Sequence, residues 1–142
     1  MHYDDEIARL LRTCRNIAVV GLSPKPERPS HGVARYLLDH GFAVVPVNPG
    51  QREILGRPCY ARLEDIPGPV DMVVCFRRSA EIPPLAAAAI GIGAKALWMQ
   101  LGIANETAAE IARAGGLAVV ADRCIKIEHL RHASDDQAIT SG

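Results

Sequence analysis

Five short apolar runs recur along the chain: IAVVG (17–21), FAVVPV (42–47), VDMVVCF (70–76), AKALWMQ (94–100) and LAVVA (117–121). Their apolar positions are nearly continuous rather than alternating, and each run is too short for a helix. That pattern reads as strands buried on both faces. The proline in the second run places it near a strand end or at a sheet edge. The segments between the runs switch to helical spacing. In 4–14, Ile7, Leu10, Leu11 and Cys14 share one face behind an acidic first turn. In 30–41, Val33, Tyr36 and Leu37 share a face, with Ser30 read as the cap and Gly41 as the stop. Residues 79–93 read as a helix opened by Ser79, whose paired prolines fit a first turn but not an interior. Residues 105–115 read as a helix capped by Asn105. Residues 48–69 look irregular, with one helical turn near LEDI.

Apolar strands alternating with helices predict an α/β fold: a three-layer, Rossmann-like domain with a five-stranded parallel sheet covered on both faces. Right-handed crossovers favour the order 3-2-1-4-5, numbering the strands along the chain. Ligands of such sheets sit beyond the carboxyl ends of the strands, where the order reverses. The loops to inspect therefore begin at Gly21, Asn48, Phe76 and Met99.

Composition narrows the classes. A length of 142 residues favours one domain, expected over 1–132, with 133–142 as a flexible C-terminal tail. Sixteen basic and sixteen acidic residues give no broad field for nucleic acid or an anionic membrane, so neither is an expected partner. The four cysteines have no metal-like spacing, and no metal site is expected. No run reaches membrane-spanning length and nothing upstream reads as a signal peptide, so the expected location is cytoplasmic, with reduced thiols.

The first loop, VVGLSPKPERPSHG (19–32), carries the candidate chemistry. Gly21 allows a close backbone turn, and the amides entering the next helix offer an anion site. A dinucleotide fingerprint needs three glycines in six residues, which GLSPKP lacks. NAD also expects an acid after the second strand, where Asn48 stands. Lys25 and Arg28, stiffened by Pro24, Pro26 and Pro29, could neutralise more phosphate than a pyrophosphate carries. Coenzyme A, with its additional 3′-phosphate, fits that count. NADP would expect an arginine after the second strand, and only Arg52 is available. Each feature has a plainer reading: a bare turn at Gly21, a cap at Ser30, solvated charges at Lys25 and Arg28, a common Asn-Pro-Gly turn at 48–50.

The stretches VVGLSPKPERPSHGVARYL, VPVNPGQREILGRPCY, DMVVCFRR, IGAKALWMQLGI and VVADRCIKIEH, in this order, cover roughly 16–129. In them the chain resembles the small stand-alone CoA-binding domain family, relatives of the nucleotide-binding domain of the succinyl-CoA synthetase α subunit. The resemblance implies CoA or an acyl-CoA lying across these loops. Gly21, Leu22 and Ser23 would meet it by backbone and hydroxyl contacts, Lys25 and Arg28 would lie near its phosphates, and Ser30 would help at the helix start. Asn48 and Pro49 would lie near the nucleotide end, and Phe76 with Arg77 beside the pantetheine or phosphate path. Gln100 is a further candidate, an uncharged donor and acceptor beyond an apolar strand.

No catalytic residue is expected. His31 has no acid or nucleophile at close sequence range, no P-loop is present, and the chain ends where the synthetase's next domain would begin. Cys124, beside Arg123, reads either as an inert thiol or as one able to form a disulfide with CoA. The expected function is a CoA carrier, sensor or regulatory module without ligase activity of its own. The sequence leaves open a homodimer and an additional protein partner. The alternatives are an NADP- or other nucleotide-binding reductase subunit, and a dimerising scaffold with a vestigial pocket.

Overall fold

Strand β1 (Asn16–Val20) is hydrogen-bonded on both sides, by β2 (Ala43–Val47) and β5 (Met72–Cys75). The structure, a computed structural model, describes residues 3–141, with side chains as far as 133. Strands β6 (Ala96–Met99) and β7 (Ala118–Val120) complete a five-stranded sheet of order β2-β1-β5-β6-β7, parallel throughout. The order along the chain is thus 2-1-3-4-5, a correction of the expected 3-2-1-4-5. The physical reason lies in burial: β5 is buried at all four positions and takes neighbours on both sides, whereas β2 carries Pro46 and an exposed first residue and takes an edge. The correction moves the reversal of strand order to the seam between β1 and β5, and so moves the expected binding crevice to Gly21 and Phe76.

Alternate residues of each strand separate two cores. Ile17, Val19, Met72, Val74, Trp98 and Val120 pack under α1 (Tyr3–Thr13), α2 (Pro29–Asp39) and α5 (Ile125–Ser141). Ala18, Val20, Val73, Cys75, Leu97 and Met99 pack under α3 (Ile82–Gly91) and α4 (Glu106–Ala114). The three layers are those expected. Helix α5 enters the stretch read as a tail as far as Ser141, and Gly142 and the side chains beyond 133 lie outside the described residues.

Two of the expected caps are reassigned. Helix α2 starts at Pro29 behind Arg28, and the Ser30 hydroxyl accepts from the Ser23 amide instead of capping. A 3-10 turn (Ser79–Glu81) precedes α3, and Ser79 Oγ accepts from the Ala104 amide. Pro83 and Pro84 do fall in the first turn of α3. Asn105 caps α4 by accepting from Ala108, and Gly41 ends α2 with φ 89°. The irregular stretch holds the 3-10 turn Leu63–Asp65 and a small hairpin, β3 (Glu53–Ile54) with β4 (Arg57–Pro58), that carried no strand signal.

At the amino-terminal end of strands β1 and β5, Asp71 Oδ2 accepts from the Arg15 and Asn16 amides, each at 2.9 Å. The Asn16 amide is the main influence holding this carboxyl below its ordinary range, with Arg15 and Lys95 adding to it. A folded pKa below the unfolded one contributes stability above the unfolded pKa and loses it as pH falls through the folded value. Asp71→Ala should therefore lower unfolding stability by about 2 kcal/mol at pH 7. The gap to the parent should close as pH falls below the ordinary carboxylate range. Urea unfolding at pH 7 and in acid reads both, and a gap that stays constant with pH refutes the ionic role.

Candidate functional site

Gly21 leaves β1 with φ 87°, and its amide donates to the Val47 carbonyl at 2.9 Å. A Cβ on this residue would run into the Phe76 carbonyl and press on the Arg77 side chain. The exits of β1 and β5 are therefore in backbone contact, and only a glycine permits it. The Phe76 amide closes the seam by donating to Val20.

Above this seam, on the α2 side, is an open cleft of about 350 Å3 lined by Gly21, Ser23, Lys25, Arg28, Ser30 and Phe76, with Pro29 at the helix start. Its wall is a folded loop. Ser23 Oγ accepts from the Lys25 amide at 3.1 Å, and the Lys25 carbonyl accepts from the Arg28 amide at 3.1 Å. Lys25 and Arg28 are exposed, and among the described residues no carboxylate pairs with either. The positive end of α2 faces the same space. A cleft with two uncompensated cations and a helix N-terminus suits an anion with more than one charge.

A second cleft of about 220 Å3 lies on the other face, lined by Val20, Val47, Pro49, Leu63, Pro84 and Leu85, with Arg62, Glu64 and Arg77 among its polar residues. Arg62 is paired with Asp65 at 3.6 Å, whereas Arg77 has no acidic partner among the described residues. The two clefts back onto one another across the end of β1, with Val20 in one and Gly21 in the other. A third hollow, of about 340 Å3, opens at the opposite end of the strands beside Asn16, Ala43 and Pro67, away from the basic loop.

The structure thus brings Gly21, Ser23, Lys25, Arg28, Ser30 and Phe76 together in one cleft, and Pro49 with Arg77 in its neighbour. Leu22 has a fully buried side chain and can offer a ligand only its backbone. Asn48 lies between the loops, its Nδ2 donating to the Leu22 carbonyl at 3.0 Å and its Oδ1 accepting from Gly50 at 2.9 Å. Gln100 stands apart: it is buried, its Oε1 accepts from the Ile125 amide at 2.9 Å at the start of α5, and it lines neither cleft. Trp98 is core, with its indole N–H on the Arg123 carbonyl.

Apart from Pro49 and Arg77, the lining of the second cleft was missed in the sequence. His129 accepts or donates through Nδ1 against the Tyr36 hydroxyl at 2.7 Å, between α2 and α5. Burial pushes the Cys75 thiol up to about 12 and raises Cys59 as well, so both are poor nucleophiles. Asp4, Glu128 and His132 meet within 4.8 Å, but Arg123 and Arg131 already balance their carboxylates, which leaves no net charge for a cation. Among the described residues no helix is long and apolar enough to cross a membrane.

Comparison with known proteins follows the same lines. The family model described as CoA binding domain matches residues 15–130. Over 124 residues the chain is 40% identical to the uncharacterized protein YneT of Bacillus subtilis, covering 87% of this chain and 92% of that one. A solved structure, a hypothetical protein from Pyrococcus horikoshii OT3, superposes with a TM-score of 0.89 at 42% identity, covering 92% of each chain. The ADP-forming acetate–CoA ligase I of Archaeoglobus fulgidus is 34% identical over 67 residues, 47% of this chain and 10% of the ligase.

Proposed function

The chain belongs to the CoA-binding domain family, and from that premise we propose that it binds coenzyme A or an acyl-CoA across the exits of β1 and β5. In this reading it is a carrier, sensor or regulatory module that forms no thioester by itself. The observation that carries the proposal is the cleft at the strand reversal, where Lys25, Arg28 and the N-terminus of α2 converge and no carboxylate lines the cleft. Two phosphate groups of CoA lie there, held by charge-assisted hydrogen bonds. The largely apolar second cleft takes an uncharged part of the ligand, with Arg77 at the boundary. A second copy or another protein then reads the loaded state.

The absence of ligase chemistry is supported by what surrounds the candidate groups. His31 has no acid or nucleophile partner among the described residues, and the ligase resemblance extends over only a tenth of that enzyme. Activating a free acid needs equipment beyond this site.

Calorimetry with CoA, dephospho-CoA, NAD and NADP tests the proposal. CoA should bind tightest, dephospho-CoA about tenfold or more weaker, and affinity should fall as salt rises because exposed charges are screened. A preference for NAD, or no loss on removing the 3′-phosphate, overturns it. A coupled assay with ATP or GTP, CoA and short carboxylic acids should show no turnover.

A further inference from the structure

The peptide between Leu22 and Ser23 is held from both edges by side chains of two other segments. Its carbonyl accepts from Asn48 Nδ2 at 3.0 Å, and its N–H donates to Ser30 Oγ at 2.9 Å. A trans peptide points these two groups in opposite directions, so two bonds of this kind fix the rotation of the whole plane. Both holders are themselves fixed. The Ser30 side chain is buried in the first turn of α2. Asn48 is fastened through its other polar atoms as well: its amide donates to Tyr60, its carbonyl accepts from Gln51 and the Cys59 thiol, and its Oδ1 accepts from Gly50.

We infer that Asn48 and Ser30 are positioning residues, a clamp that presets the basic loop before ligand arrives. The clamped plane is the point where the chain leaves the seam, and the next bond along, Lys25 N–H to Ser23 Oγ, passes its orientation to Lys25. Asn48 and Ser30 therefore strengthen ligand binding through Lys25 and Arg28, by removing the ordering cost of the loop, rather than by contacts of their own. This rests on the proposal that the cleft binds CoA.

A double-mutant cycle read by calorimetry with CoA separates the two roles. Asn48→Ala should weaken binding about tenfold in the parent chain but less than about threefold in an Arg28→Ala background, because a preset loop has lost part of what it presents. Equal losses in both backgrounds overturn the inference and make Asn48 a direct contact. Ser30→Ala should repeat the pattern and carries the test should Asn48→Ala not fold, while Ser30→Thr, which keeps the hydroxyl, should recover affinity. Hydrogen exchange on the unliganded protein supplies an arm independent of CoA. In Asn48→Ala the Ser23 amide, bonded to Ser30 and not to Asn48, should exchange about tenfold faster. Unchanged exchange there overturns the clamp. Failure of the parent chain to bind CoA would instead remove the functional proposal, leaving the clamp to be decided by exchange.

Discussion

Gly21→Val should unfold at a temperature roughly 10 °C below the parent and lose measurable CoA binding. Two independent costs act at this position. With φ at 87°, any side chain meets its own backbone, a cost of about 1–2 kcal/mol for an L-residue. The added Cβ also collides with the Phe76 carbonyl, which is backbone and cannot rotate away. Relief requires the exits of β1 and β5 to part, which strains the Phe76 amide bond to Val20 and the Gly21 amide bond to Val47. Together these give about 3–5 kcal/mol of destabilisation, in the range reserved for backbone strain combined with overpacking. Gly21→Ala should show most of the effect, because the first carbon causes both costs. Thermal melting of both variants, with CoA titration below their midpoints, reads stability and site separately. A valine variant with an unchanged midpoint would show that the seam yields easily and does not set the crevice.

The five strands and four of the five helices could be read from the chain because burial on both faces leaves an unmistakable run of apolar residues, and helix faces leave their period. Strand order could not. It depends on which run tolerates an edge, and the weight of Pro46 in β2 against the fully buried β5 is apparent only once both are placed in one sheet. The basic cleft was legible because all but one of its lining residues lie within ten positions of one another. Of the second cleft only Pro49 and Arg77 were, since Val47, Leu63, Pro84 and Leu85 come from segments with no shared period. Ser30, Asn48 and Gln100 show a different limit. A polar side chain beside a strand end suggests a ligand contact, but a backbone amide or carbonyl left without a main-chain partner makes the same demand on it. In Ser30 and Gln100 the backbone has claimed the oxygen, and in Asn48 both ends of the carboxamide.

Reversing the charges of the basic loop should separate binding from folding more sharply than any other change. Lys25 and Arg28 are exposed and take no acid partner among the described residues, so Lys25→Glu with Arg28→Glu should leave stability within about 1 kcal/mol of the parent. The ligand sees a different site. Each lost charge-assisted bond to phosphate is worth about 1.5–3 kcal/mol, and the reversed charges repel what they formerly held. A loss of at least about a hundredfold in CoA affinity follows, since every 1.4 kcal/mol is a factor of ten. Two further readouts identify the cause. The parent's decline in affinity with salt should flatten or invert in the variant, because the screened interaction has changed sign. The parent's preference for CoA over dephospho-CoA should disappear, because extra phosphate no longer meets extra positive charge. Asn48 and Ser30 remain in place in this variant, so the loop keeps its shape and only its charge differs. A double variant that keeps CoA affinity, salt dependence and 3′-phosphate preference would exclude the basic loop from the binding site and leave Arg77, at the boundary of the second cleft, as the cation to test.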